Sequence, residues 1–246
     1  MAQPGEGSKR DGQAYSQQSK MMPKMGQKQM TQSQNHHIDP LQKRHMPSGF
    51  SDRVAFRLTR MLRFIADSFF ARRYGHRAVV LETVAAVPGM VGGMVRHMRS
   101  LRRLQDDREW IHTLLAEAEN ERMHLMTFIE IARPSWMERM IILTAQGLFF
   151  TSFLFLYIIS GRTAHRLVGY FEEEAVYSYT QYLEEVDSGR LENRPAPQIA
   201  IDYWQLPQDA RLRDVIIAVR NDEADHRDVN HRLADSFDTD AETPGH

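Results

Sequence analysis

Apolar residues recur at helical spacing through most of this chain. From Asp52 to Gly75 they are Phe56, Met61, Leu62, Phe64, Ile65, Phe69 and Phe70, with arginines between them, and Gly75 is expected to close that helix. A second helix is expected from about His76 to Leu104, where Pro88 and the Gly92-Gly93 pair predict a kink or a close helix contact. A third runs from about Asp106 to Arg133, and Pro134-Ser135 forces a stop and a new start. From Met137 the pattern stays helical through MIILTAQGLFFTSFLFLYIISG, and a fifth helix follows to Val186. DSGRLENRPAPQ reads as a loop, DYWQLP as a short connector, and a last helix spans about Asp209 to Asp235. No strand pattern of period two occurs, so the ordered part is expected to be all-α.

Charged residues interrupt two of the apolar stripes. Around the stretch AEAENERMHL the inward stripe reads Trp110, Leu114, Glu117, Glu121, His124, Phe128, Ile131; in the last helix it reads Leu212, Ile216, Val219, Glu223, His226, Asn230, Leu233. In both, a Glu-x-x-His pair sits near the middle of the stripe, and residues three apart on a helix can touch one object from the same side. A buried carboxylate and imidazole need a salt bridge, a proton or a metal, because an isolated charge in an apolar setting is costly. The third such spacing, Glu109/His112, falls in the charged opening turn QDDRE and reads as a solvated face.

Each retained pair follows a helix with one inward carboxylate. Glu82 stands alone among Val79, Val80, Leu81, Ala85, Ala86 and Val87, and Glu172 is the member of the EEE run in phase with Val168, Val176, Tyr179 and Leu183. The order Glu, then Glu-x-x-His, occurs twice. That is the ligand set of a carboxylate-bridged two-metal site in a ferritin-like four-helix bundle. Four carboxylates neutralise two divalent ions, and oxygen plus imidazole donors suit iron or manganese. The competing reading is that these carboxylates lie on helix surfaces and pair with the many arginines.

The uncharged run from Met140 to Gly161 is long enough to cross a bilayer. A crossing, however, would separate Glu121 and His124, which precede it, from Glu172, which follows it. The run is therefore expected to lie along one leaflet beside the arginine-rich first helix, with a true span or a buried core helix as the alternatives.

Composition narrows the chemistry further. The 246 residues carry a formal charge of −1, which argues against a nucleic-acid partner, but Arg53, Arg57, Arg60, Arg63, Arg72, Arg73 and Arg77 cluster in one stretch that suits a membrane surface. With no cysteine, any metal must be held by oxygen and nitrogen. Residues 1–49 are polar and aperiodic and are expected to be a disordered tail with neither a secretory signal nor a convincing mitochondrial transit peptide; residues 236–246 are expected to be flexible. Residues 50–235 form the expected bundle domain.

The stretches LETVAAVPGMVGGMVRHM, EAENERMHLM, GYFEEEAVYSYT and RNDEADHRDVNH, within about residues 77–235, resemble the alternative oxidases, the cyanide-insensitive terminal quinol oxidases. The resemblance implies two non-haem irons held by Glu82, Glu121, His124, Glu172, Glu223 and His226, and an enzyme that oxidises two ubiquinols and reduces O2 to water without pumping protons. It also implies a homodimer bound to lipid of one leaflet through amphipathic helices, here about 52–75 and 137–160. By the same resemblance Tyr179 is the redox-active tyrosine, Arg77 and Ser178 meet the quinol head group, and Asn120, His165, Tyr203, Trp204 and Asp222 orient ligands and tyrosine. Ser178 departs from the family's more frequent Thr. The regulatory cysteine of the plant members is missing, so thiol or 2-oxo-acid control is not expected, and a bacterial cytoplasmic membrane is favoured over the mitochondrial inner membrane. A di-iron hydroxylase of a quinone precursor, and an iron-storage or structural helical membrane protein, are the competing functions.

Overall fold

The computed structural model describes residues 41, 43–70 and 74–241. The expected tail as far as residue 40, Arg72, Arg73 and residues 242–246 lie outside the described residues, as do the side chains of Phe69 and Phe70. Seven α-helices account for most of the rest: α1 (Phe50–Phe70), α2 (Tyr74–Arg103), α3 (Trp110–Ala132), α4 (Trp136–Ile159), α5 (Gly161–Asp187), the short α6 (Gln198–Trp204) and α7 (Leu212–Ala241). Among the described residues there is no β-strand, only one isolated bridge between Pro195 and Arg211. The expected all-α class holds.

Several boundaries move for identifiable reasons. Gly75 does not close α1 but lies in the first turn of α2. The expected start of α3 at Asp106 shifts to Trp110, because the Asp107 carboxylate accepts from the Ile111 N–H at 2.6 Å while Arg108 and Glu109 turn to positive φ of 55° and 66°. The break between α3 and α4 is a complete capping box: the Ser135 hydroxyl accepts from the Glu138 N–H, and the Glu138 carboxylate accepts from the Ser135 N–H. Ser160 caps α5 by accepting from the Thr163 N–H at 3.2 Å. At the far end α7 continues to Ala241, beyond the expected loosening at Ser236.

Two helix pairs, α2 with α3 and α5 with α7, form the bundle. The first pair approaches closely through glycine. A Cβ on Gly89 would stand 2.4 Å from the Leu114 carbonyl oxygen and 2.9 Å from Ala118 Cβ, and one on Gly92 would stand 3.0 Å from Leu114 Cδ1. The glycines and Pro88 thus serve a close contact within a continuous helix. The resulting core joins Val79, Phe128, Tyr179, Leu183, Ile216 and Val219.

α1 is tied to the bundle by charge. The fully buried Arg166 of α5 donates through Nε to Asp52 Oδ1 at 3.1 Å and through Nη1 to His231 Nδ1 of α7 at 2.9 Å. Asp52, itself unexposed, also accepts from the Ser48 N–H and hydroxyl. Residues 43–49, expected in the tail, are held here: the His45 N–H donates to Glu173 Oε1 at 2.6 Å and its ring stacks on His231. Phe56 packs on Tyr170 rather than facing outward. Arg63 pairs with Asp67 and Glu174, so this arginine is neutralised within the fold.

α4 differs from the other long helices. It buries only Ile142, Phe153 and Tyr157, whereas Trp136, Met137, Leu148, Phe155, Ile158 and Ile159 are exposed. Both α2 and α4 are long and apolar enough to cross a membrane, but α2 carries Glu82 inward and is largely covered. An exposed apolar face of this extent marks a surface for lipid or another apolar partner.

The glycine contact predicts an asymmetry. Gly89→Ala should lower stability by about 1–3 kcal/mol through overpacking against Leu114, whereas Gly147→Ala, where an added Cβ meets nothing within 4 Å, should be neutral or stabilise by up to about 1 kcal/mol. Denaturation midpoints in detergent measure both; equal shifts would contradict the close α2–α3 approach.

Candidate metal centre

The six expected ligands are all buried and converge between the four bundle helices: Glu82 from α2, Glu121 and His124 from α3, Glu172 from α5, Glu223 and His226 from α7. His124 Nδ1 lies 3.3 Å from Glu82 Oε2, 3.4 Å from Glu121 Oε2 and 3.3 Å from Glu223 Oε1. His226 Nδ1 lies 2.7 Å from Glu121 Oε1 and 3.9 Å from Glu223 Oε2. Glu121 and Glu223 therefore each turn one oxygen toward each histidine, the disposition of bridging carboxylates. Donor atoms of Glu82, Glu121, His124 and Glu223 all lie within 4.8 Å of one another. Glu172, also buried, joins beside Glu223, whose charge raises the Glu172 carboxyl.

The donor set fits a metal pair on a structural ground. Glu82 Oε2, both oxygens of Glu121, Glu223 Oε2 and the Nδ1 atoms of both histidines are buried without a hydrogen-bond partner. Their lone pairs face a common interior, an arrangement that costs free energy unless a cation gathers them. On His124 the other nitrogen is committed: Nε2 contacts Asp222 Oδ2 at 3.2 Å, so Nδ1 is the atom left for a cation.

In the metal-free chain protons take that place. Burial, followed by repulsion from Glu223 and Glu121, pushes Glu82 well above the ordinary carboxylate range, and Glu172 rises for the same reasons. Burial also disfavours ionised Glu121, but the two adjacent histidines outweigh it and hold this carboxyl low. For the imidazoles burial opposes the charge and the acids prevail: Glu121 and Asp222 raise His124, and Glu121 lifts His226 to about 9.

Four of the residues expected to orient ligands meet on His124. Asp222 Oδ2 accepts from Trp204 Nε1 at 2.8 Å and from Asn120 Nδ2 at 3.0 Å, Asn120 Nδ2 also reaches the Tyr203 hydroxyl, and the Trp204 ring stacks on His124. His165 lies in a separate chain serving His226. Its Nε2 meets the Tyr157 hydroxyl at 3.1 Å and its Nδ1 meets Asn230 Oδ1 at 2.9 Å; Asn230 Nδ2 donates to both oxygens of Glu117 and to the His226 carbonyl. Burial pushes His165 down to about 4, so the ring is neutral, as this bonding requires.

Glu117 and Asn230 are functional candidates that sequence reasoning placed on the inward stripes without a role. Burial, partly offset by His226 and Asn230, raises Glu117 to about 7. Their signal was a polar residue one turn from each Glu-x-x-His pair. Tyr179 is buried on α5, its hydroxyl donates to Glu82, and its ring stacks on Phe128. Arg77 Nη1 pairs with Asp67 Oδ1 at 2.6 Å, and Ser178 is buried beside Tyr179. Glu109 and His112 are exposed, as a solvated face requires.

Fold and site together define an all-α four-helix-bundle protein with a buried carboxylate-and-histidine cluster fit to hold a metal pair. Comparison with known sequences is consistent and more specific. A family profile described as alternative oxidase matches residues 30–235. Over 195 residues, 79% of this chain, the sequence is 60% identical to "Ubiquinol oxidase 2, mitochondrial" of Glycine max, of which it covers 59%, and to "Ubiquinol oxidase, mitochondrial" of Mangifera indica, of which it covers 61%. Over 193 residues, 78% of the chain, it is 58% identical to "Alternative oxidase 3, mitochondrial" of Glycine max, of which it covers 59%. The chain belongs to the alternative oxidase family. It spans about three fifths of the length of these relatives, and their names give no support to the expected bacterial source.

The ionisation pattern predicts opposite pH responses with and without metal. Glu82, Glu172, His124 and His226 have folded values above their unfolded ones. Their stabilising contribution is complete below the unfolded value and lost as pH rises through the folded one. The metal-free melting temperature should therefore fall from near pH 6.5 toward pH 9, the window set by His226. Metal binds the deprotonated ligands, so the loaded protein should lose that alkaline decline. Parallel pH profiles would contradict the shared ligand set.

Proposed function

We propose that this protein is a membrane-associated quinol oxidase with two non-haem irons, coupling the oxidation of two ubiquinols to the reduction of one O2 to two waters without pumping protons. The observation that carries the reading is the pair of buried carboxylates, Glu121 and Glu223, each turned toward both histidines. Glu82 with His124 would complete one iron's protein donors, and Glu172 with His226 the other's. The irons, when bound, would supply reversible one-electron chemistry close to O2.

The remaining tasks belong to the side chains. Asp222, fixed by Trp204 and Asn120, sets the tautomer of His124, and the Asn230 amide ties the His226 backbone to Glu117. Tyr179 holds its proton firmly, since burial and then the Glu82 charge push its phenol well above its ordinary value. Its hydroxyl donates to Glu82, so Glu82 is placed to take the phenol's proton, and the irons, when bound, would take its electron. In this reading Arg77 and Ser178 meet the quinol head group. Arg77 would first have to share or release its contact with Asp67. The exposed apolar face of α4 and the exposed outer residues of α1 would rest in one leaflet. A homodimer belongs to the same proposal, and so does a mitochondrial location, the word that the relatives' names carry.

Oxygen uptake by the purified, iron-loaded chain with a short-chain ubiquinol in the presence of cyanide tests the function. Turnover with the quinone skeleton recovered unchanged is the expected result. A hydroxylated quinone product would favour the hydroxylase reading instead, and iron far above two per chain would favour storage. Tyr179→Phe should fold and bind iron but lose about 100-fold or more of turnover, in the range usual for loss of a proton-transfer group. Tyr177→Phe, at a partly exposed ring between Arg44 and Arg63, should keep most of its activity. Retained turnover in Tyr179→Phe would make this residue a packing tyrosine.

A further inference from the structure

Residues 43–49 are fastened to α1, α5 and α7 by side chains that the metal centre does not use. At the middle of the cluster is the buried guanidinium of Arg166. Its Nη1 meets His231 Nδ1 at 2.9 Å and His45 Nδ1 at 3.5 Å, its Nε meets Asp52 Oδ1 at 3.1 Å, and its Nη2 pairs with Asp235. A guanidinium carries only donors, so both imidazoles must turn a bare Nδ1 lone pair toward it. Their remaining nitrogens face acids: His231 Nε2 donates to Glu173 Oε1 at 3.1 Å, and His45 Nε2 donates to Asp52 Oδ2 at 3.4 Å. The two rings stack with centroids 4.6 Å apart. Both histidines are therefore neutral while this segment is seated. A proton on either Nδ1 would set an N–H against the Arg166 N–H and place a second cation beside the guanidinium. His231 cannot step aside, because its ring fills the space over Gly169, where an added Cβ would stand 2.6 Å from His231 Cε1. His45 can, since its side chain is 27% exposed and its backbone is outside any helix.

We infer that residues 43–49 and the start of α1 form a pH-sensitive clasp, closed on the bundle while His45 and His231 are neutral and released when either takes up a proton. The charged groups around His45 are Asp52 of α1, Arg162, Arg166 and Glu173 of α5, His231 and Asp235 of α7, and Lys43 and Arg44 of its own segment. Arg162 is shared with Asp52, Lys43 pairs with Asp228 of α7, and Arg44 lies over the Tyr177 ring. Burial, then Arg166 and His231, outweigh the attraction of Asp52 and hold His45 below its ordinary value. For Asp52 burial opposes the charge, but the Ser48 bonds and Arg166 prevail and lower it to about 2, so this carboxylate stays ionised while the histidines titrate. Because the folded value of His45 is below its unfolded one, its stabilising contribution is complete above the unfolded value of about 6.5 and is lost as pH falls through the folded one. The clasp thus opens in acid, on the opposite side of neutrality from the alkaline decline expected of the metal-free centre. Neither the irons nor the quinol reaction enters it.

The chain has no cysteine, so Met46→Cys, at an exposed position of this segment, carries a single nitroxide label on the full chain in detergent. Its electron paramagnetic resonance spectrum should pass from restrained to mobile between about pH 8 and about pH 5, the mobile fraction rising about tenfold or more. A label at Arg232→Cys, on the exposed side of α7, should not change over that range. An unchanged spectrum at residue 46 would overturn the clasp, and so would parallel loosening at both sites, which is general unfolding. Adding His45→Gln to the Met46→Cys chain leaves a side chain that can hydrogen-bond but takes up no proton, and it should move the midpoint down by about one pH unit or more. An unmoved midpoint would assign the titration to another group and overturn the proposal. Should His45→Gln leave the segment mobile already at pH 8, the wild-type chain decides by nuclear magnetic resonance with 13C-labelled histidine. The His45 signal, identified as the one missing from the variant, should titrate below the ordinary value of about 6.5. Titration at or above that value would overturn the clasp.

Discussion

Buried carboxylates that face one another must be neutralised, and the rest of this structure is arranged around that requirement. Glu82, Glu121, Glu172 and Glu223 are all but inaccessible to water, where mutual repulsion is poorly screened. Two histidines and a set of protons relieve it in the metal-free chain; a pair of divalent cations would relieve it more completely. No single helix could supply such a set. Four helices can, provided that each turns one of these carboxylates inward at the same depth and that their axes come close enough. Gly89 and Gly92 allow that approach between α2 and α3.

The same requirement decides how the apolar α4 can sit. It joins α3 to α5, and both deliver ligands to the one interior. A crossing of a bilayer would draw those helices apart at the cost of several unpaired buried charges, which the exposed apolar face of α4 could not offset. Lying along the bundle, α4 instead sends the Gln146 side chain to the Thr83 carbonyl of α2 at 3.4 Å. α1 is fastened by the Arg166–Asp52 pair, remote in sequence and closed by His231. Long-range polar contacts of this kind hold both candidate membrane helices on a scaffold whose interior holds the buried carboxylate-and-histidine cluster.

Much of the bundle and its centre could be read from the sequence because helical phase is a local property. Glu121, His124, Glu223 and His226 interrupt apolar stripes, and phase alone selected Glu172 from three adjacent glutamates. What escaped depends on contacts that no local pattern encodes. Glu117 and Asn230 lie on the inward stripes, yet their partnership joins α3 to α7 across the bundle. Residues 43–49 carry no apolar period, and their order comes from polar bonds to Glu173 and Asp52. Helix ends shifted where capping chemistry competed with periodicity, as at Asp107. The relevance of Gly89 was invisible as well, since a close approach belongs to two helices at once.

Glu121 and Glu223, each turned toward both histidines, would serve both of the proposed irons, which would then have to lie close enough to share carboxylate bridges. Mössbauer spectroscopy of the purified, iron-loaded protein measures this directly, together with the iron content per chain. Two irons per chain are expected, coupled antiferromagnetically so that the diferric form has a diamagnetic ground state. One iron per chain, or two ferric ions behaving as isolated paramagnets, would contradict the shared bridges.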